Sequence, residues 1–111
     1  MMNNFEQITS IEQIDYFLHQ NKLAFLFISR PNCSVCVSLF PQVEEILLKY
    51  PKIKLAYINA EVLPEVASKF SIFAVPVLLL FVEGKEYVRE ARIVALIEFE
   101  SKIKKIYDNQ K

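Results

Sequence analysis

The stretch Leu23-Ala24-Phe25-Leu26-Phe27-Ile28-Ser29-Arg30-Pro31-Asn32-Cys33-Ser34-Val35-Cys36 decides the fold. Its first seven residues are almost unbroken apolar sequence. That is too short for a helix with two wet sides and reads as a strand buried on both faces. Pro31 and Asn32 break the run. From Cys33 a helical pattern extends to about Tyr50, carried by Val37, Phe40, Val43, Ile46, Leu47 and Tyr50. Pro41 lies inside that pattern and predicts a kink. The two cysteines therefore stand where a buried strand gives way to a helix N-terminus.

Upstream, residues 5–8 read as a short edge strand. Thr9 and Ser10 are helix-cap residues with Glu12 and Gln13 three positions later, so either pair suits a capping box. Ile11, Ile14, Phe17 and Leu18 then recur at helical spacing. Downstream, Pro51 ends the second helix and residues 53–59 form a second central strand. Pro64, at a predicted first helical position, opens a short helix through Phe70. Residues 77–82 are a β-rich run, Glu83-Gly84 a tight turn, and residues 85–90 the returning strand of a hairpin. Leu96, Phe99, Ile103, Ile106 and Tyr107 mark one face of a last helix. Lys102, Lys104, Lys105 and Lys111 lie near its end, as the helix dipole favours. Crossover helices between buried strands demand parallel pairing, and the hairpin demands antiparallel pairing. The expected fold is α/β: a three-layer α/β/α sandwich around a mixed central sheet.

The chain has 111 residues, which fits one domain spanning 1–111. Its 53% hydrophobic content excludes intrinsic disorder. Thirteen Lys and Arg balance thirteen Asp and Glu. A net charge of zero argues against a nucleic-acid binder and against a polybasic membrane-surface protein. One glycine leaves no Gly-rich phosphate loop, and one histidine builds no His-based metal cluster. The longest apolar stretch, residues 72–82, falls short of the roughly 20 residues of a spanning helix. The N-terminus has neither the basic nor the apolar region of a secretory signal, and Met1 reads as an initiator. A cytosolic location is the expectation, and there a cysteine pair is more often catalytic or metal-binding than a structural staple.

A helix start offers unpaired N–H groups and partial positive charge, both of which stabilise a thiolate. Cys33 is expected at or beside the N-cap and exposed, with Cys36 one turn in and more buried. Cys33 would attack a substrate disulfide and Cys36 would resolve the mixed disulfide. Arg30 would add positive charge and lower the Cys33 pKa. Two other readings stay open: an inert buried pair, and a metal or cluster site built from two chains. No metal is expected within one chain, since two cysteines supply half a tetrahedral site. His19 is expected on a solvated helix face.

With these residues in place, the chain resembles the thioredoxin-like family from its first helix to its last. The resemblance rests on Cys33-Ser34-Val35-Cys36 after a buried strand and on Pro41 eight residues past the first cysteine. Val75-Pro76 before the run 77–81 and Glu83-Gly84-Lys85 at the hairpin turn complete it. It implies a cis Val75–Pro76 bond packed beside the cysteines. It further implies a thiol–disulfide oxidoreductase with catalytic Cys33 and Cys36. The substrate-binding set is Asn32, Ser34, Val35, Phe73, Ala74, Val75, Pro76 and Arg92. The implied partners are protein or low-molecular-weight thiols and disulfides, with a reductase or small thiol as electron donor. No cofactor is implied, and a monomer is expected.

The sequence also departs from the family. Trp-Cys-Gly-Pro-Cys is replaced by Asn32-Cys33-Ser34-Val35-Cys36, so the redox potential does not carry over. Phe27 stands where the family buries an acid, and Tyr57 where it keeps the partnering lysine; removing both avoids a lone buried charge. Loss of the acid predicts slower resolution by Cys36. Arg92 replaces a glycine before the last helix. The alternative function is a non-enzymatic thioredoxin-fold binding module with a weakly active cysteine pair.

Overall fold

The computed structural model describes residues 4–110. Its elements are β1 (Glu6–Ile8), α1 (Ile11–Gln20), β2 (Leu23–Ser29), α2 (Ser34–Leu47) and β3 (Lys54–Asn59). They continue with α3 (Val66–Phe70), β4 (Val77–Val82), β5 (Lys85–Ala91) and α4 (Leu96–Asp108). The strands form one sheet in the order β1-β3-β2-β4-β5. β1, β3 and β2 run parallel, while β4 pairs antiparallel with both β2 and β5. The α/β class and the mixed sheet are as the sequence predicts.

Alternation along β2 explains the layers. Leu23, Phe25 and Phe27 point to one core, and Ala24, Leu26 and Ile28 to the other. β4 divides in the same way, with Leu78, Leu80 and Val82 on the first side and Val77, Leu79 and Phe81 on the second. α2 and α4 cover the first core with Leu39, Val43, Leu47, Phe99 and Ile103. α1 and α3 cover the second with Ile14, Phe17 and Val66. A strand buried on both faces has no solvated side for polar residues, hence the unbroken apolar run.

Local signals hold with small shifts. Ser10 caps α1 by accepting from the Gln13 N–H at 3.1 Å, while Gln13 Oε1 accepts from the Thr9 N–H at 2.9 Å. Glu83 and Gly84 both have positive φ, 51° and 82°, the signature of a type I′ hairpin turn. Pro41 sits inside α2. β1 starts one residue later than expected, although Phe5 remains buried and packs its ring 4.7 Å from that of Phe40. α2 ends at Leu47, short of Tyr50. Lys49 and Tyr50 instead donate to Ile46 and Leu47 three residues back, which tightens the last turn before Pro51. Pro64 does not open α3 at its first position. It belongs to a preceding turn, in which the Val66 N–H donates to Leu63 and that of Ala67 to Pro64.

Candidate active site

Cys33 is the N-cap of α2, and its Sγ accepts a hydrogen bond from the Cys36 N–H at 3.2 Å. The cap role normally falls to a side-chain oxygen; here a sulfur takes it. The helix start therefore places an N–H donor and the positive end of the dipole on the sulfur. Cys33 and Cys36 are joined as a disulfide with Cα atoms 5.3 Å apart. Cys33 is half-buried and Cys36 almost fully buried, at 2% exposed. Asn32 delivers the chain to the cap with φ of +64°, a left-handed conformation that asparagine tolerates better than most residues.

The Val75–Pro76 peptide is cis, with Pro76 buried and Val75 packed against both cores. The Pro76 carbonyl accepts from the Arg92 N–H at 2.8 Å, so the segment after β5 is tied directly to the segment before β4. The pairing of Val77 with Ala91 produces this meeting: one step outward on each strand brings Pro76 beside Arg92.

Two cavities flank the cysteines, beside a surface hollow that Cys33 itself lines. One, of about 440 Å³, is lined by Ser34, Val35, Ser38, Leu39, Gln42, Arg92, Ile93 and Val94. It joins the dipeptide between the cysteines to the β5–α4 connection. The other, of about 360 Å³, lies on the Cys36 side. Arg30, Asn32, Phe27, Phe40, Tyr57 and Glu44 are among its walls. The site residues predicted from sequence thus divide. Asn32 and Arg30 share a wall with Cys36, while Ser34, Val35 and Arg92 share the other cavity. Arg30 is exposed and lines the cavity at Cys36, not the surface hollow that Cys33 shares with Asn32, Ser34, Val37 and Ser38. Phe73 stands 96% exposed, and Ala74 is half-buried.

An aromatic trio occupies the ground beneath Cys36. Phe27 stacks on Tyr57 across β2–β3, with ring centroids 6.1 Å apart and planes 11° apart. Phe40 meets Phe27 edge-on at 5.1 Å and Tyr57 at 6.0 Å. Edge-to-face pairs of this kind add about 0.5–1.5 kcal/mol beyond area burial. Phe27 has no exposure at all. An ionised group in its place would need a partner that Tyr57 does not supply.

Glu44, Phe40 and Val37 were not among the predicted site residues. Cys36, Phe40 and Glu44 are spaced i, i+4, i+8, and that spacing alone puts them on one face of α2. Glu44 accepts from Asn4 Nδ2 at 3.2 Å and is the only acid among the described residues lining the Cys36 cavity.

A disulfide at a helix N-terminus on an α/β/α frame, with one cysteine half-buried and the other buried, is the arrangement of a thiol–disulfide oxidoreductase. The sequence model of the thioredoxin family matches residues 6–105, and the chain belongs to that family. It is 45% identical to the thioredoxin-like protein YdfQ of Bacillus subtilis, covering 96% of this chain and 95% of the relative. It is 29% identical to thioredoxin-1 of Saccharomyces cerevisiae over 75% of this chain and 81% of that protein. Among solved structures it superposes on thioredoxin from Trypanosoma brucei brucei with a TM-score of 0.84, covering 98% of each chain at 18% identity. Poplar thioredoxin h gives 0.83, covering 97% of this chain and 100% of that one at 22% identity. At these identities the two superpositions speak for the fold alone. Thioredoxin-family proteins act on protein or thiol substrates. Among the described residues, no helix is long and apolar enough to cross a membrane.

Proposed function

We propose that Cys33 is the attacking thiolate and Cys36 the resolving thiol of a cytosolic oxidoreductase that works as one domain and as a monomer. The Cys33 thiolate attacks one sulfur of a substrate disulfide and expels the other as a thiolate, which takes a proton from water. Cys36 then loses its proton and attacks Cys33 Sγ. The Cys33–Cys36 disulfide forms, the second substrate thiol leaves, and two electrons have passed to the substrate. The supporting observation is the 3.2 Å bond from the Cys36 N–H to Cys33 Sγ, which stabilises a charge on that sulfur in the reduced state.

In this reading an extended substrate segment runs past Asn32, Ser34 and Val35 on one side and Phe73, Ala74, Val75 and Pro76 on the other, with Arg92 at its end. Arg30 adds positive charge to the loop. No cofactor takes part within the domain. Electrons reach it from a reductase or a low-molecular-weight thiol.

An equilibrium redox titration read by alkylation and mass tests the pair. A reversible two-electron transition is expected, and a midpoint near about −270 mV would mark a reductant while one near about −120 mV would mark an oxidant. Cys36→Ser is expected to hold a client as a stable mixed disulfide through Cys33. Absence of a reversible transition, together with a partner still bound by a chain lacking both cysteines, would replace this reading with a binding module.

A further inference from the structure

We propose that the face around Cys33 selects client polypeptides in which the disulfide cysteine is flanked by an acidic residue and an apolar one. The inference rests on the oxidoreductase reading above and names the substrate class for it.

Charge distribution is the first observation. The chain carries thirteen cations and thirteen anions. The segments that surround the disulfide are residues 29–42, 71–77 and 92–97. Together they contain two charged residues, Arg30 and Arg92, and no acid. Glu44 lines the Cys36 cavity with Arg30, whereas the cavity at Arg92 holds no acid among the described residues, so the neutral balance of the whole molecule hides a cationic face on the Arg92 side.

Those two charges are also uncompensated. The ion pairs among the described residues take up Lys49, Lys69, Arg89, Lys102 and Lys104. Arg89, the third arginine, is engaged with Glu86. The acids nearest Arg92 in sequence are Glu90 and Glu98. Glu90 pairs with Lys102 at 2.8 Å, and Glu98 acts on the same lysine. Arg92 and Arg30 have no ion-pair partner among the described residues.

Arg92 is moreover held in place. Its φ of +65° is left-handed backbone, which is disfavoured for a residue with a side chain. Its N–H is fixed to the Pro76 carbonyl at 2.8 Å. The Arg92 backbone is thus rooted beside Pro76, and its side chain lines the cavity next to the dipeptide between the cysteines. Its cavity shares walls with Ser34, Val35 and Ile93.

Beside Asn32, Ser34, Ser38 and Gln42 the face exposes large apolar side chains. Val35, Val37, Phe73, Ile93 and Ile97 are all large and solvent-exposed. A bare apolar surface of this kind next to a free guanidinium suits a segment that brings an apolar side chain and a carboxylate together. Arginine binds a carboxylate through two parallel N–H donors, which a lysine does not reproduce.

The test uses two disulfide-linked peptides, identical except for Asp or Lys beside the half-cystine and each with a neighbouring Leu. Bis(2-hydroxyethyl) disulfide, which carries no charge, serves as a third substrate. Reduced wild-type protein at low ionic strength is expected to reduce the Asp peptide with a kcat/KM about fivefold to tenfold above the Lys peptide. In 0.5 M salt the ratio is expected to fall toward one. Arg92→Gln should lower the ratio at low salt, Arg92→Glu should invert it, and Arg92→Lys should restore part of it. Equal rates on the two peptides, with both reduced, would overturn the proposal and leave the oxidoreductase reading intact. A preference that survives Arg92→Glu would also overturn it. If the wild type fails on all three disulfides, the oxidoreductase reading falls and the client class falls with it. Dimerisation that scales with loss of the preference would assign the face to a second copy of the chain and overturn the proposal.

Discussion

Phe27 and Tyr57 determine what Cys36 meets when it must lose its proton. Phe27 is fully buried and stacked on Tyr57, so among the described residues no carboxylate lies in the core beneath the sulfur. Glu44 shares the cavity wall but is half-buried and bonded to Asn4. Release of the mixed disulfide is therefore expected to speed up as pH rises from about 6 to 9, because the proton Cys36 must lose goes to solvent rather than to a buried acid. Single-turnover release rates measured across that range check this. Glu44→Gln should leave the profile within about twofold of wild type; a tenfold drop would make Glu44 the proton acceptor.

Elements are joined at their ends by polar clasps, and these respond to pH. On β5, Arg89 donates Nε and Nη2 to the two carboxylate oxygens of Glu86 at 2.8 and 2.9 Å. The same Nη2 donates to the Phe70 carbonyl at the end of α3 at 2.7 Å. The hydrogen bonds from Arg89 hold the Glu86 carboxyl below its ordinary range, against a smaller upward push from burial. A carboxyl depressed in the folded state contributes stability above its unfolded pKa and loses it as pH falls through the folded value. Glu86→Gln is therefore expected to cost up to about 1 kcal/mol at pH 7, because the pair is partly exposed and screened. The gap to wild type should close as pH drops from about 5 to 3. Urea denaturation at several pH values measures it; a constant gap would mean that Glu86 acts by packing rather than charge. The Lys49–Glu100 pair, with Tyr50 donating to the same carboxylate at 3.1 Å, clasps the end of α2 to α4 and likewise lowers the Glu100 carboxyl.

At the scale of the molecule, β2 joins two cores that lie on opposite faces of the sheet. Leu26 pairs with Ala56 on β3 and Leu79 on β4 and belongs to the core under α1 and α3. Tyr50, Tyr57 and Tyr107 all sit in or against the other core. Leu26→Ala is expected to cost about 2–5 kcal/mol. With no tryptophan present, the change in tyrosine emission reports chiefly on the α2–α4 side, since Tyr16 and Tyr87 are already exposed in the folded chain, and far-UV circular dichroism reports on the whole chain. Both urea transitions should shift together, because the shared strand makes unfolding a single event. Separate midpoints would show that the two cores unfold independently.

The strand–cysteine–helix unit was legible because its determinants are local. A seven-residue apolar run, a Pro-Asn break and a cap position lie within fourteen residues, so steric and hydrogen-bonding rules act on neighbours in sequence. The hairpin was legible for the same reason, through Glu83 and Gly84. Helix ends were less so. α2 stops at Leu47 and α3 starts at Val66 because turns of the i to i−3 kind compete there, and that balance depends on what Tyr50 and Leu63 bury. The site was legible in its residue types and only partly in its geometry. Sequence placed Cys33 at a helix start and separated the roles of the two sulfurs. The register of β4 on β5 decided that Arg92 meets Pro76, and the face of α2 decided that Phe40 and Glu44 wall the cavity at Cys36. Those contacts join segments far apart in the chain, so their distances are set by how strands pair and helices pack rather than by any local preference.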